Sequence, residues 1–331
     1  MRRLLLAFLM WPVALAAQQH APGVTRWVDT SAKTDTILTY GTTTVAVDSV
    51  DTLPAVKEVV LKPGDNWTAI LAANPAGTHY RARAGTHRFV SVVPKKGDSF
   101  AGDSGAVLTG ARILTGFQRD ASGRWWVGGQ TQQNTKLQPD KCDPAYPGCY
   151  FNEELWIDGA YYQHMTSLAG VTLGSKKWYF DYDADKIWIG VDPTGHTVET
   201  SVTPWAFRSQ NSGVTIKGLT VEKYATELQH GCIEGGPAWT VENNDVRWCH
   251  GLGIKTTGND WKVLGNRVYL NGGMGLAGSG RNGLVYGNEV FQNDTAHILR
   301  GWEGGGSKWV LTTHLVVRRN HFHDNLHNGI W

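Results

Sequence analysis

Glu227, His230, Glu234, Lys255, His297, Arg300, Glu303 and Lys308 are the residues of this chain whose types and spacing could do chemistry. They fall in or beside two interruptions of an otherwise regular repeat, and Trp302 and Trp309 stand among them as flat apolar rings. Two reaction classes are open to such a set. Eliminating across a bond of an acidic sugar needs a cation on the substrate carboxylate and a base for the proton beside it. Arg300 or Lys255 would supply the first, and His297 or Lys255 the second. Hydrolysing a glycosidic bond needs two carboxylates about 5–9.5 Å apart, for which Glu234 and Glu303 are the pair. The catalytic candidates are therefore Glu234, Lys255, His297, Arg300 and Glu303. Glu227, His230, Trp302, Lys308 and Trp309 would bind substrate, the tryptophans by stacking on sugar rings. A plain surface ion pair is the competing account of Glu234 and Lys255.

The repeat that must position these residues shows in VLGNRVYLNGGMGL, residues 263–276. Val263, Asn266, Val268, Asn271 and Leu276 recur 22 residues upstream as Val241, Asn244, Val246, Cys249 and Ile254. They recur 22 downstream as Val285, Asn288, Val290, Asn293 and Ile298, and 32 further on as Val317, Asn320, Phe322, Asn325 and Ile330. Three short β-like pieces per repeat describe the rungs of a right-handed parallel β-helix. Asparagines at equivalent turns then stack ~4.8 Å apart and pass side-chain amide hydrogen bonds from rung to rung. Two ladders are predicted: Asn244, Asn266, Asn288 and Asn320, and Asn271, Asn293 and Asn325 with Cys249 in the first place. Both are structural, so the Asn293-Asp-Thr sequon is a weak glycosylation signal.

In a solenoid the rungs are scaffold, and function falls where the repeat breaks. Between Val221 and Ile233 there are four more residues than in the next rung, and between Ile298 and Val317 ten more. Both loops should overhang the third sheet. There the outward columns are expected to be Gly253, Gly275, His297 and Gly329, a shallow glycine floor, and Glu234, Lys255, Ala277, Leu299 and Trp331. Glycines that merely permit tight turns are the alternative. Asp245, Arg267, Glu289 and His321 alternate in sign along the second sheet, as a solvated charge ladder does. His314, His321, His323 and His327 crowd the C-terminal part. His321 and His323 are two apart on a strand, but no carboxylate set is evident, so no metal site is expected.

Upstream, KPGDNWTAILAANPAGT predicts a short capping helix with Asp65 or Asn66 as its cap, Trp67, Ile70 and Leu71 as its apolar face and a stop at Asn74-Pro75. The β-helix is expected to start over 58–110. From 111 to 205 the repeat is replaced by RWWVGG, ELWIDGAYYQHM, KWYFDYDADKIWIGVDP and HTVETSVTPWAF, an inserted aromatic region of antiparallel hairpins. Its acid-rich stretch invites calcium, but the spacing does not match the EF-hand loop, and turns carry Asp for backbone reasons. No cofactor is firmly implied. Cys142 and Cys149 bracket a loop that could close on itself as a disulfide, whereas pairing of Cys232 with Cys249 is left open. Zinc would need more ligands at short spacing.

A net charge of +2 on 331 residues, with no basic run among its aromatics, argues against nucleic acid. Met1, Arg2 and Arg3 precede the apolar run Leu4 to Ala17, with Ala14-Leu15-Ala16 as a cleavage site. This reads as a signal peptide over 1–17, followed by a linker over 18–57. No later stretch spans a membrane. A secreted or periplasmic monomer is expected.

GDNWTAILAANPAGT, the asparagine rungs and the leader resemble secreted bacterial right-handed β-helix proteins of the pectate-lyase-like superfamily, over roughly 59–110 and 206–331. That superfamily includes polysaccharide lyases, glycoside hydrolases, uronan epimerases, esterases and non-catalytic surface proteins. The resemblance implies an extracellular polysaccharide as partner and a lyase or hydrolase as activity, with a non-catalytic carbohydrate-binding or cell-surface protein as the alternative. There is no Asp-Asp pair and no Asn-Thr-Asp motif, so the polygalacturonase-type aspartate triad is not evident. CHGLGIKT only faintly echoes the Gly-His-Gly element of those hydrolases. The chain stops at Trp331 inside a predicted strand with no polar end rung, as a fragment of a longer frame would, and catalytic residues could then lie beyond it.

Overall fold

A computed structural model describes residues 58–133 and 139–331. The leader and linker expected from the sequence lie outside the described residues. Three parallel sheets wind around one core. The first holds eight strands, from Glu58–Leu61 through Thr215–Lys217 to Val316–Arg318. The second holds seven, from Gly85–Arg88 through Asp245–Cys249 to His321–His323. The third holds five, Phe207–Ser209, Gly231–Gly235, Leu252–Thr256, Met274–Arg281 and Gly305–Thr313. Register follows the repeat: Val241 pairs Val263 and then Val285 and Val317, and Val246 pairs Val268, Val290 and Phe322. Apart from the exposed Val317, these side chains pack in the inner column with Leu61, Phe100, Phe207 and Ile254, Phe322 being partly buried at its end.

Both asparagine ladders form. Asn244 Nδ2 donates to Asn266 Oδ1 at 3.0 Å, Asn266 to Asn288 at 3.0 Å, and Asn288 to Asn320 at 2.8 Å. Asn271 and Asn293 repeat the pattern to Asn325. Each Oδ1 also takes the backbone N–H of the rung before, which satisfies a buried donor that no strand partner could reach. Cys249 holds the first place of the second ladder, its N–H on Asn271 Oδ1 at 3.1 Å, while its sulfur bonds Cys232.

The capping helix spans Trp67–Ala73, with Asn66 accepting from Ala69 N. Trp67 and Leu71 turn inward, and the Trp67 ring lies over Phe100 and Phe207.

One rung is interrupted between its second and third strands. The chain leaves the second sheet after Ala106–Thr109 and re-enters the third at Phe207–Ser209. In between, strands from Ala111–Leu114 to Val198–Ser201 form a separate eight-stranded sheet around its own hydrophobic core, which includes Trp178, Phe180, Ile187 and Leu155. Its pairings are antiparallel with one exception. Gln163–Met165 runs parallel to Lys177–Tyr179, because the connection crosses over through a short turn at Leu168–Gly170 instead of reversing in a hairpin. Within the acid-rich stretch, Asp181 Oδ1 accepts the Ala184 N–H, the backbone role that turns give aspartate.

His250, the histidine of CHGLGIKT, is spent on joining the two bodies: its Nδ1 lies 2.7 Å from Glu154 Oε1, with both side chains buried. Beside them Tyr182 donates to Glu153 Oε2 at 2.6 Å, and burial pushes the Glu153 carboxyl up. Burial also holds His164 neutral, its pKa lowered to about 3.

Candidate functional site

The third sheet and the loops beside it hold most of the candidate residues, but the sheet's register differs from the expectation in one place. Leu276 pairs Ser307 and Ala277 pairs Lys308, so Ile298 and Leu299 are not in the sheet. The ten extra residues precede the strand, and Gly305–Thr313 takes the rung position. Ile298 packs instead beside Cys142, Cys149, Leu228 and Ala296. The glycine floor is also overturned. A Cβ on Gly253 would stand 2.6 Å from Val268 Cγ1 and 2.9 Å from Asn271 Nδ2, and Gly275 meets Val290 and Asn293 likewise. These glycines face inward, making room for the core and the second ladder, and strict alternation fails there.

The outward column is therefore Arg208, Glu234, Lys255, Ala277 and Lys308 in register. Glu234 is buried at its centre. His230 Nδ1 lies 2.8 Å from Glu234 Oε2, Arg208 Nη2 3.2 Å from the same oxygen and Lys255 Nζ 3.3 Å from Oε1. Glu227 approaches the far side of His230 at 4.0 Å. Burial pushes the Glu234 carboxyl up, but the His230 hydrogen bond and the charges of Lys255, His230 and Arg208 pull it down to about 2. A depressed carboxylate stabilises the fold above its ordinary pKa of 4.5, and that contribution is lost as pH falls toward about 2. Glu234→Gln is thus expected to flatten the acid limb, the wild type losing at most about 3 kcal/mol more than the variant across that window. Urea unfolding at stepped pH measures it, and parallel curves for the two proteins would refute it.

Lys255 Nζ also donates to the Gln229 carbonyl at 3.0 Å, and Gln229 Nε2 reaches Glu303 Oε1 at 3.4 Å. Lys308 Nζ lies 3.1 Å from the same Glu303 oxygen and 4.3 Å from the centre of the Trp331 ring. These groups wall a cleft of about 260 Å³ lined by Gln229, Leu252, Lys255, Gly278, Glu303 and Lys308. The two loops supply its walls, as the breaks in the repeat imply.

Four candidates stand elsewhere. His297 stacks on Tyr146 of the insert at 3.4 Å, and its carbonyl accepts from Asp143 N. Arg300 is exposed, and its charge is felt by His327. Trp302 packs on the Cys142–Cys149 cluster, although its carbonyl takes Lys308 Nζ. Trp309 turns to the main core and lies over Trp261 at 5.8 Å, so it is no sugar platform. Arg208 and Gln229 were missed: Arg208 was findable by carrying the Glu234 column one rung back, whereas Gln229 has no signal in a loop.

Both disulfides form, Cys142–Cys149 and Cys232–Cys249. The first clamps the insert loop against Leu228 and Ile298, one residue from each cleft wall, and Leu299 N bonds the Lys141 carbonyl. Replacing both Cys142 and Cys149 by Ser is expected to cost about 2–3 kcal/mol for a loop this short. It should also speed proteolytic cutting between 295 and 304. Unchanged cutting would show that the walls stand without the clamp.

The family model described as a right-handed beta helix region matches residues 206–331. Among solved structures, XylC in complex with xylose superposes with a TM-score of 0.65 at 14% identity, over 81% of this chain and 59% of that one. A glycoside hydrolase gives 0.42 at 10% identity, covering 82% and 85%. The A-module of Azotobacter vinelandii mannuronan C-5 epimerase AlgE4 gives 0.37 at 11%, covering 79% and 60%. This chain thus spans about three fifths of the XylC chain. No curated protein matches the sequence. The fold is a right-handed parallel β-helix.

Proposed function

We propose that this chain is a secreted glycoside hydrolase that binds an extracellular polysaccharide in the cleft over the third sheet, with Glu234 and Glu303 as its two carboxylates. One observation carries the reading. Of the two residue sets that could do chemistry, only the hydrolytic pair is linked at the cleft: Glu303 lines it, and Glu234 lies behind its lining residue Lys255, which bonds the Gln229 that reaches Glu303. The elimination set is split: Lys255 lines the cleft, but His297 is stacked on Tyr146 and the exposed Arg300 is not among the lining residues.

The roles follow from the surroundings. Glu234, held ionised by the His230 hydrogen bond and the charges of Lys255 and Arg208, suits the carboxylate that attacks the anomeric carbon or activates a water. Glu303 is then the proton donor to the departing oxygen. For this, Lys308 must leave Glu303 for a sugar hydroxyl when substrate enters, a movement its long side chain allows. The cleft is near the lower end of the ~300–1,000 Å³ common for ligand pockets, so one sugar ring seats between the loops while the chain continues along the open sheet. Because XylC was solved with xylose, xylose-containing glycans head the test.

A second reading rests on the same contacts. Glu234 and Glu303 both have cationic partners, as in a recognition surface with no chemistry to perform. The full chain is incubated with neutral glycans and polyuronates, following reducing ends and unsaturated-uronate absorbance. Reducing ends alone support hydrolysis, and new absorbance overturns it in favour of elimination. Binding without either product leaves a recognition protein.

A further inference from the structure

The outer face of the second sheet holds a cluster apart from the cleft. His321 and His323 alternate with Phe322, which packs on the core, so both imidazoles project outward from one strand. The neighbouring strand sets Glu289 opposite His321. One ligand atom from each of the three lies within 4.8 Å of the others. The carboxylate that the sequence did not reveal comes from the rung before, 32 residues upstream of His321.

His323 has an unusual setting. Its Nδ1 lies 2.8 Å from Asp324 Oδ2 and its Nε2 3.4 Å from Glu289 Oε1. If Nδ1–H donates to Asp324, the Nε2 lone pair faces a carboxylate oxygen, and two acceptors face each other across a gap that only a positive species can bridge. That gap is also about the 3.4 Å edge of a tetrahedron with ~2.0–2.1 Å bonds, the geometry zinc imposes on His and carboxylate ligands. A carboxylate on the far nitrogen is the usual means of orienting a metal-binding imidazole. The ring is held in place as well, stacked on Phe291 at 5.0 Å, which stacks on Tyr269 at 4.7 Å. Arg267 Nε fixes Glu289 through Oε2 at 3.0 Å, leaving Oε1 toward the histidines.

We propose that Glu289, His321 and His323 form a site for a first-row transition-metal dication, zinc above all, with Asp324 orienting His323. Two imidazoles and one carboxylate suit zinc better than calcium or magnesium, which prefer all-oxygen shells. The ion would fasten the strand at 321–323 to the one at 289–291 and keep a coordination position open to solvent. The rival bridging species is a proton, with His323 an imidazolium between two carboxylates.

The test is calorimetric titration of the full chain with zinc chloride in a non-chelating buffer, with thermal unfolding alongside. One saturable equivalent and a raised unfolding midpoint are expected. His321→Ala and His323→Ala should each weaken binding at least tenfold, Asp324→Asn less, and His314→Ala not at all. Should His323→Ala disturb the strand, His323→Gln with its circular dichroism repeats the measurement in a folded protein. Absence of saturable heat up to millimolar zinc would leave the proton as the bridge and overturn the site. Equal affinity in both histidine variants would place the zinc elsewhere and overturn it too.

Discussion

Glu303→Gln is expected to lower kcat/KM on a polysaccharide about 10³-fold, within the 10²–10⁴ that a positioned acid contributes. The glutamine keeps the shape that accepts from Lys308 and Gln229, so the unfolding midpoint should hardly move. The loss should depend on the leaving group. An aryl glycoside with an acidic phenol needs little protonation, and on it Glu303→Gln should recover most of the rate. Glu234→Gln should recover none, because the carboxylate that meets the anomeric carbon is needed for every substrate. Equal losses by Glu303→Gln on both substrates would end its role as acid. Unchanged rates in both variants would take the cleft out of the chemistry.

The asymmetry between these residues was only half visible in the sequence. Glu234 and Lys255 lie at fixed offsets from core residues Ile233 and Ile254, so the period that placed the core also placed them, and they pair in register. Glu303 and Lys308 lie past a break, where the period says nothing about which side of the loop holds the strand. Ile298 fits the repeat as well as Ser307 does, and the repeat alone favours the apolar residue. What decides it is distant in sequence: the Cys142–Cys149 loop offers Ile298 an apolar seat, and Asp143 and Lys141 take up backbone groups at 297 and 299. A repeat cannot carry information about a partner that occurs once.

The glycine column failed for a related reason. Strict alternation would turn Gly253 outward, yet Cys232 and Ile233, consecutive on the strand before, are both in the core. Two neighbours face inward there, and the position beside the asparagine ladder has no space for a side chain. What looked like a floor for a ligand is the clearance that the ladder requires.

That ladder carries the other large effect, and Asn266→Ala measures it. Asn266 is fully buried, and its Oδ1 accepts from Asn244 N at 2.9 Å and Asn244 Nδ2 at 3.0 Å. Its Nδ2 donates to Val241 O at 2.9 Å and to Asn288 Oδ1 at 3.0 Å. Alanine would strand the Asn244 N–H, one of its amide hydrogens and the Val241 carbonyl, in a place water does not reach. Each stranded group costs about 1–3 kcal/mol, so a loss of about 4 kcal/mol is expected. That corresponds to a midpoint lower by roughly 10 °C for a chain of this size. Asn320→Ala is the control, because Asn320 is only half-buried and water can replace part of what it gives. It should cost about 1 kcal/mol. If Asn266→Ala cost no more than Asn320→Ala, the stability of the solenoid would come from its stacked valines, and the asparagines would serve only to set the turn.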